Sequence, residues 1–277
     1  MSDSSHYYTL DGKACHTQTC KPGAKNKTRP TTIADARKQN LFPSVSAITA
    51  LLGSSALVGY MQREVAKCAY KRQPIHPETE AEYVNYIVKQ SKEDGSDAAN
   101  LGTEVHAGLE SYYGEPLLPQ GEASVTLPSG DVVDRWELME PAIKAIDGLN
   151  ATIQESEKIV VNAPYGYAGT TDLTFTKGDA YGIIDFKTKR TKKGKKIVPY
   201  ETQPMQIAAY LAGVWGLGHD YPIGAGASGY NIYISTTEVG RVEVVEYSNE
   251  DLLEAWGAFK NCLALYRYIN KFDPRAT

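Results

Sequence analysis

Residues 170–189, TTDLTFTKGDAYGIIDFKTK, contain two carboxylates, Asp172 and Asp185, and a lysine, Lys187, at positions that could share one face of a two-stranded hairpin. The β-branched and aromatic runs on either side of the Gly-Asp pair predict two strands joined by a two-residue turn. In that hairpin Lys177 pairs with Ala180, and counting back along both strands makes Asp172 face Asp185. Side chains opposed in this way have Cβ atoms about 4.5–5.5 Å apart, where like charges repel each other. A divalent cation is the natural compensation for two such carboxylates.

Lys187 follows Asp185 by two positions, so strand alternation puts both side chains on one face, while Ile184 and Phe186 point to the other. Hard oxygen ligands hold Mg²⁺ or Mn²⁺ and leave positions for water and for phosphate oxygens. The lysine would orient the attacking water and stabilise the charge of the transition state. The group therefore suits phosphodiester hydrolysis. An ordinary surface hairpin with a cross-strand lysine–aspartate set stays an open alternative, because short D-x-K segments are common.

A dense basic run, KTKRTKKGKK, occupies residues 187–196 of a chain whose formal net charge is −4. Any attraction to nucleic acid must therefore come from local patches. Flexible lysines suit sequence-independent contact with phosphates, and such binding weakens as salt rises. A solvated loop between a strand and a helix is the alternative. The residues expected to bind DNA in this run are Lys189, Arg190, Lys192, Lys193, Lys195 and Lys196.

The elements that must position these residues change character along the chain. Residues 1–40 are polar and without a sustained period, which predicts an extended or irregular N-terminal arm. Residues 41–149 are mostly helical in pattern, beginning after Pro43, where Ser44 or Ser46 is available as a helix cap. Further helices are expected at about 56–72, 79–92, 97–113 and 132–149.

Residues 150–277 alternate in the way that strands do, and they form the expected catalytic sheet. The predicted order is β-β-β-α-β-β-α, and residues 41–277 are expected to form a single domain. The predicted strands are ATIQESEKIVV, TTDLTFT, AYGIIDFK, SGYNIYIST and RVEVVEY, with helices at about 201–216 and 249–271.

Three of these segments, GYAGTTD at 166–172, IIDFK at 183–187 and QIAAY at 206–210, together resemble the PD-(D/E)XK nuclease superfamily. The segment GTEVH, which ends at His106, is similar to the histidine motif of its RecB-like exonuclease branch. LFPSVSAI at 41–48 resembles a signature of phage and prophage members and of the mitochondrial genome maintenance exonuclease. The resemblance implies an α/β fold of the restriction-endonuclease-like type, with a central mixed sheet flanked by helices and preceded by a helical part.

The resemblance also implies roles for particular side chains. Lys187 would be the catalytic lysine, Gln206 and Tyr210 would line the site on one face of a helix, and Ser44 would contact DNA. The alternative for Gln206 and Tyr210 is that they form the polar edge of an amphipathic helix. The alternative for His106 is a structural role, which is common for an isolated histidine on a helix. The implied metal ligands are His106, Asp172, Asp185 and the carbonyl oxygen of Phe186.

The expected cofactor is Mg²⁺ or Mn²⁺. One subgroup of the family carries an iron–sulfur cluster on one cysteine before the nuclease core and three after it, whereas only Cys262 follows the core here. We therefore expect no cluster. Whether Cys15, His16 and Cys20 contribute to a zinc site stays open.

The expected activity is that of a DNA exonuclease acting on DNA ends in a phage or prophage, with a recombination protein as a possible partner. A structure-specific endonuclease on the same fold and a DNA- or partner-binding protein that does not cut are the alternatives. The four cysteines suit a reducing compartment, and no run of about 18 apolar residues occurs. We accordingly expect a cytoplasmic protein without membrane association.

Overall fold

The computed structural model describes residues 6–21, 23, 25–53, 55–114, 123–216 and 223–275, and within helices it leaves the side chains of 55–57 and 93–98 undescribed. The first half is mainly helical. Its elements are β1 (Tyr7–Tyr8), β2 (Thr17–Thr19), β3 (Thr28–Pro30), α1 (Ile33–Gln39), β4 (Phe42–Pro43), α2 (Val45–Thr49), a 3₁₀ turn (Ala50–Leu52), α3 (Ser55–Lys71), α4 (Glu80–Gly114), β5 (Ser124–Thr126), β6 (Val132–Asp134) and α5 (Arg135–Asp147).

The second half builds a five-stranded sheet in the order β11-β10-β9-β8-β7. Its strands β9 and β10 are parallel and all other neighbours are antiparallel, so the sheet is mixed, as expected. The parallel pair is joined through α6, the crossover helix that such a connection requires. The elements are β7 (Thr152–Asn162), β8 (Tyr167–Lys177), β9 (Ala180–Lys189), α6 (Thr202–Val214), β10 (Ala227–Ser235), β11 (Val242–Tyr247) and α7 (Asn249–Asn270), which confirms the predicted order.

Helices cover both faces of the sheet, because β9 is apolar on both sides. Ile183 packs in a core with residues of α6 and α7, including Ile207 and Phe259. Ile184 lies on the opposite side, in a core that contains Val105 of α4 and residues of α5. These two layers hold the sheet between them and fix the position of β9, which carries the acidic and basic residues singled out above.

Two expectations about the helices of the first half need correction. The helices expected at 79–92 and 97–113 are one continuous helix, α4. The helix expected at 132–149 starts later, at Arg135, because 132–134 form β6. Asp134 then caps α5, accepting a hydrogen bond from the Trp136 N–H at 2.9 Å.

The segment expected to be an irregular arm also contains regular structure. Strand β1 pairs with β4, with Tyr7 opposite Pro43 and Tyr8 opposite Phe42. Tyr7 is 1% exposed, so the N-terminal segment buries a large aromatic side chain against the body of the protein. This burial orders the segment. The sequence did not predict it, because so short a stretch shows no hydrophobic periodicity.

In the part of the chain that the structure describes, no helix is both long enough and apolar enough to cross a membrane.

Candidate active site

Strands β8 and β9 separate next to the predicted acidic pair. The hairpin register begins with Lys177 opposite Ala180, as predicted, and ends with Leu173 opposite Ile184. Beyond that point β9 pairs only with β10, and β8 pairs only with β7. Asp172 and Asp185 are the next residues on the two strands. We call this point, with Asp172 of β8 on one side and Asp185, Phe186 and Lys187 of β9 on the other, the fork.

The fork corrects the expectation that Asp172 and Asp185 form a directly opposed ladder pair. The paired register stops one residue short of them. Instead, the Asp172 carboxylate accepts the backbone N–H of Phe186 at 2.6 Å and so reaches across the gap between the strands. The carboxylate takes the place of a backbone acceptor and anchors the two strands together where their ladder ends.

Lys187 and Asp185 form an ion pair at the fork, with Nζ 2.6 Å from Oδ2. Asp185 is 3% exposed. Burial raises the pKa of Asp185 to about 6, against the opposing effect of Lys187. Burial alone would lower the pKa of Lys187, but the two aspartates outweigh it and raise that pKa above its ordinary value. The lysine is therefore held as a cation beside the carboxylates.

His106 projects from α4 toward the same point. Its Nδ1 lies 3.7 Å from Oδ2 of Asp172, and its ring meets the Phe186 ring edge to face at a centroid distance of 5.8 Å. Burial would lower the pKa of His106, but the charges of Asp172 and Asp185 outweigh it and raise that pKa. Burial by itself would raise the pKa of Asp172, but His106, Lys187 and the Phe186 N–H outweigh it and bring that pKa below its ordinary value.

Gly102 lets α4 come close enough to β9 to place His106. A Cβ built on Gly102 would lie 2.8 Å from Oγ1 of Thr188, a distance that real Cβ atoms essentially never show. The glycine lies one helical turn before His106, on the same side of the helix. The spacing of Gly102 and His106 in the GTEVH segment therefore has a steric reason.

Gln206 and Tyr210 approach the fork from α6. The Gln206 amide donates to the Tyr210 hydroxyl at 3.1 Å, and Tyr210 is buried. Its ring packs directly on Gly169, where a Cβ would lie 2.7 Å from Cε1. Burial raises the pKa of Tyr210 well above its ordinary value, and the charges of Asp185 and Asp172 add to the effect. The phenol is therefore a neutral hydrogen-bonding group facing the two carboxylates.

Asn231 of β10 is a site residue that was not anticipated from the sequence. It lies opposite Asp185 in the parallel register and is fully buried. Its amide donates to Oδ2 of Asp185 at 2.7 Å and to the Asp185 carbonyl at 3.3 Å, and it accepts from the Tyr247 hydroxyl at 2.8 Å. The signal was a polar amide inside the apolar strand segment SGYNIYIS, since buried amides need partners.

Glu157 of β7 was not anticipated either. Its neighbours pair with Leu173 and Thr171, which puts Glu157 beside Asp172 across the strands. Its φ of 48° is in the left-handed region, which a non-glycine residue rarely adopts inside a strand. Burial raises the pKa of Glu157 to about 7, helped by the charges of Asp172 and Glu110. The alternating pattern of the strand gives no sign of this inward turn.

The predicted DNA-binding residues fall into two groups. Lys189 is engaged within the protein: Nζ donates to the Val198 carbonyl at 2.8 Å and lies 4.5 Å from the centre of the Tyr200 ring. Ser44 is buried and caps α2, accepting from the Ala47 N–H at 3.0 Å. The exposed group comprises Arg190, Lys192, Lys193, Lys195 and Lys196.

The loop that carries the exposed lysines, residues 190–201, is held from β11 and the turn before it. Arg241 donates to the Lys192 carbonyl at 3.0 Å and to the Lys195 carbonyl. The Ile197 N–H donates to Glu243 at 2.9 Å. We call this segment the lysine loop. Its backbone is anchored while its cationic side chains point to solvent.

The donor atoms at the fork are of the types that bind a hard divalent cation. Two carboxylates, an imidazole and the Phe186 carbonyl are ligand types that Mg²⁺ and Mn²⁺ accept. Both Asn231 and Lys187 bind Oδ2 of Asp185, and the Phe186 N–H binds Oδ2 of Asp172. Oδ1 of each carboxylate therefore has no hydrogen bond to another described residue. Within the described ranges, however, no three His, Cys, Asp or Glu side chains are placed so that together they could hold an ion. This applies to His106, Asp172 and Asp185 as well as to the Cys15 region, so the fit to an ion rests on the types of the donor atoms at the fork.

Comparison with known proteins adds one informative match. No curated protein sequence matches the chain. A solved structure titled "Crystal structure of SSO0001" is similar over 75% of this chain and 86% of that chain, with 15% identity and a TM-score of 0.28, a likeness too weak to support an argument. The family model of the PD-(D/E)XK nuclease superfamily matches residues 81–271, which include every residue of the fork. The chain therefore belongs to the PD-(D/E)XK nuclease superfamily.

Proposed function

We propose that the protein is a deoxyribonuclease that depends on Mg²⁺ or Mn²⁺ and removes nucleotides from DNA ends. The observation that carries the proposal is the ion pair of Lys187 with Asp185 beside Asp172, at the point where the two strands separate. The Lys187 ammonium is half-buried and is compensated by its ion pair with Asp185, and charged groups held together in this way are concentrated at functional sites. Phosphodiester hydrolysis uses such a group, because it needs both a cation site and a fixed hydrogen-bond donor.

Each residue of the fork has a distinct task in this proposal. Asp172, Asp185, His106 and the Phe186 carbonyl would hold the ion, which supplies charge neutralisation at the phosphate and acidifies a water molecule. Lys187 would hold the attacking water through its ammonium group and stabilise charge on the phosphoryl oxygens. The water oxygen forms the new bond to phosphorus as the bond from phosphorus to the sugar oxygen breaks. The sugar oxygen takes up a proton, which balances the proton that the attacking water gives up. Gln206 and Tyr210 would form the neutral wall of the site.

The RecB-like branch and a phage or prophage origin are also proposals, supported by the GTEVH and LFPSVSAI segments. A role in recombination, with a partner protein that delivers DNA ends, follows from the same resemblance. The exposed cations of the lysine loop, directly after the strand that carries Lys187, support a DNA substrate. A cytoplasmic location belongs with this setting.

The test is digestion of linear DNA labelled at the 5′ or the 3′ end, single- and double-stranded, beside a closed circle. Wild type would be compared with Asp185→Asn and Lys187→Ala, with Mg²⁺, Mn²⁺ or EDTA. Lys177→Ala is a matched control, because Lys177 is an exposed lysine at the far end of the same hairpin.

We expect wild type and Lys177→Ala to shorten linear DNA and spare the circle, and EDTA and both site variants to abolish cleavage. The label that is released first gives the polarity. Cleavage of the circle would favour a structure-specific endonuclease instead. Absence of cleavage by wild type with every metal would contradict the enzyme proposal and favour a DNA- or partner-binding protein.

A further inference from the structure

Tyr200, near the end of the lysine loop, presents an exposed aromatic ring that the protein holds in place. The residue is 48% exposed. Nζ of Lys189 lies over the ring, 4.5 Å from its centre, and donates to the Val198 carbonyl at 2.8 Å. The Tyr200 N–H donates to Oε1 of Gln203 at 2.8 Å. A cation covers one face of the ring and the backbone is anchored, so the exposed part of the ring is presented to solvent in a fixed position.

Strand β9 connects Tyr200 to the fork from one side. Lys189 follows Lys187 by two positions, so both side chains lie on the same face of the strand, about 6.5 Å apart along it. Asp185, two positions before Lys187, begins this row. Because Lys189 contacts the Tyr200 ring, the ring lies at the end of a row of side chains that starts at the fork.

Helix α6 connects Tyr200 to the fork from the other side. Gln203, which binds the Tyr200 N–H, precedes Gln206 by one helical turn and lies on the same side of α6. Gln203 also accepts a hydrogen bond from the hydroxyl of Tyr233, and Tyr233 is opposite Lys187 in the parallel register of β9 and β10. Two independent sets of contacts therefore place Tyr200 directly beyond Lys187.

The surface between Lys187 and Tyr200 is open to solvent. The side chain of Lys187 is 25% exposed, Lys189 is partly exposed, and Tyr200 is about half exposed. A chain that contacts Lys187 can therefore reach the Tyr200 ring along the surface. The exposed ammonium groups of Lys195 and Lys196 belong to the same loop and are available to phosphates.

The chemistry of the ring favours an unpaired base. Every base has a flat π face, so an exposed aromatic ring binds bases by stacking with little preference for sequence. The bases of a duplex are stacked on each other and are not free to meet such a ring. The Lys189 ammonium is already bound to the ring and to the Val198 carbonyl, which makes it a support for the ring rather than a partner for phosphate.

We propose that Tyr200 stacks on an unpaired base of the substrate strand, close to the phosphate held at the fork, and that Lys189 positions the ring. The proposal rests on the proposed function for the identity of the substrate, but it concerns binding alone. It gives Lys189 a positioning role in DNA binding and leaves the phosphate contacts to the exposed lysines of the loop.

The test separates contacts with bases from contacts with phosphates. The anisotropy of two fluorescent single strands of equal length would be followed in EDTA: an oligothymidylate, and a strand in which every nucleotide lacks its base but keeps its phosphate. The variants are Tyr200→Ala, Tyr200→Phe and Lys189→Met, with Lys195→Gln as a reporter of phosphate contact. Tyr268→Ala is the matched control, because Tyr268 is also an exposed tyrosine under a lysine, with Nζ of Lys271 3.8 Å from its ring centre. Urea unfolding would verify that each variant folds as wild type does.

We expect Tyr200→Ala to bind the oligothymidylate about five- to tenfold more weakly, at the lower end of what stacking on an aromatic side chain contributes, and to bind the baseless strand as wild type does. Tyr200→Phe keeps the ring and should match wild type with both strands. Lys189→Met should fall between wild type and Tyr200→Ala with the oligothymidylate alone. Lys195→Gln should weaken both strands alike, and Tyr268→Ala should weaken neither.

Several results would overturn the inference. An equal loss for the two strands in Tyr200→Ala would show that Tyr200 shapes the loop without contacting a base. Oligothymidylate affinity equal to that of Tyr268→Ala, or no single-strand binding by wild type, would exclude the stacking contact. Affinity of Lys189→Met equal to that of wild type would remove the role of Lys189.

The inference and the proposed function can fail separately. A loss in Tyr200→Ala that depends on the bases supports the stacking contact even if the protein cleaves no DNA. Cleavage of linear DNA by wild type, together with unchanged single-strand affinity in Tyr200→Ala, would keep the proposed function and reject the stacking contact.

Discussion

Replacing Asn231 by leucine tests how the fork holds its buried carboxylate. The change keeps the side-chain volume but removes the donor to Asp185 Oδ2 at 2.7 Å and the acceptor of the Tyr247 hydroxyl at 2.8 Å. A hydrogen bond to a charged group contributes about 1.5–3 kcal/mol, and a buried hydroxyl left without a partner costs about 1–3 kcal/mol. The added apolar surface of leucine offsets part of this. We expect the free energy of unfolding to fall by about 2–4 kcal/mol.

The same change should weaken ion binding. Asn231 binds Oδ2 of Asp185 and so leaves Oδ1 as the oxygen that is available to an ion. Loss of a partner that orients a ligand costs about 10- to 100-fold in metal affinity, which corresponds to about 1.4–2.7 kcal/mol. We therefore expect the Mg²⁺ concentration for half-maximal cleavage to rise by that factor in Asn231→Leu.

Two measurements on two variants separate the effects. Urea unfolding in EDTA gives stability, and cleavage rate against Mg²⁺ concentration gives the ion dependence. The control is Tyr247→Phe, which removes the outer hydrogen bond and keeps the contact between Asn231 and Asp185. It should cost about 1 kcal/mol and leave the Mg²⁺ dependence near that of wild type. The reasoning is refuted if Asn231→Leu loses stability but keeps the Mg²⁺ dependence of Tyr247→Phe.

Three other variants test features of the fork. Gly102→Ala should destabilise the protein by about 1–3 kcal/mol in urea unfolding, because the added Cβ would lie 2.8 Å from Oγ1 of Thr188. Adding Thr188→Ala should recover most of the loss, and no recovery would exclude this clash as the cause. Gly169→Ala, which would push on the Tyr210 ring, should lower the cleavage rate at least tenfold with little change in DNA affinity, and an unchanged rate would contradict the placement of that ring. The pKa of Glu157 is raised to about 7 in the folded protein. Between about pH 4.5 and 7 the folded state therefore keeps a proton on Glu157 that the unfolded state has lost, and the free energy of unfolding should fall as pH rises through that range. In EDTA, Glu157→Gln should make that fall smaller, although Asp185 and His106, whose pKa values are also raised, still contribute to it. The variant should be more stable than wild type at pH 8 by about 1–3 kcal/mol, and equal unfolding midpoints at pH 8 would contradict this.

Local patterns predicted the parts of the structure that depend on neighbours in sequence. Strand alternation placed Lys187 and Asp185 on one side of β9, and turn chemistry gave the pairing of Lys177 with Ala180. The order of strands and helices after residue 150 followed from periodicity alone. The separation of β8 from β9 did not, because nothing in either strand shows where pairing stops.

The features that the sequence did not predict depend on contacts between residues that are far apart in the chain. Asn231 meets Asp185 only because β10 pairs in parallel with β9 after a crossover, and such pairing has no local signal. Glu157 turns inward through a left-handed backbone conformation that alternation does not anticipate. Tyr7 likewise orders the N-terminal segment through burial against residues far along the chain, among them Tyr266, whose hydroxyl lies 3.3 Å from its own.

The anchoring of the lysine loop has a consequence for the entropy of binding. Arg241 holds the Lys192 carbonyl, Glu243 holds the Ile197 N–H, and Lys189 holds the Val198 carbonyl, so the loop backbone is already ordered in the free protein. A disordered basic segment gives up backbone freedom when it meets a polyanion, and that loss is subtracted from its affinity. This loop gives up only the freedom of its lysine side chains. Its affinity for a phosphate backbone should therefore be set by counterion release, with little further cost from ordering the chain.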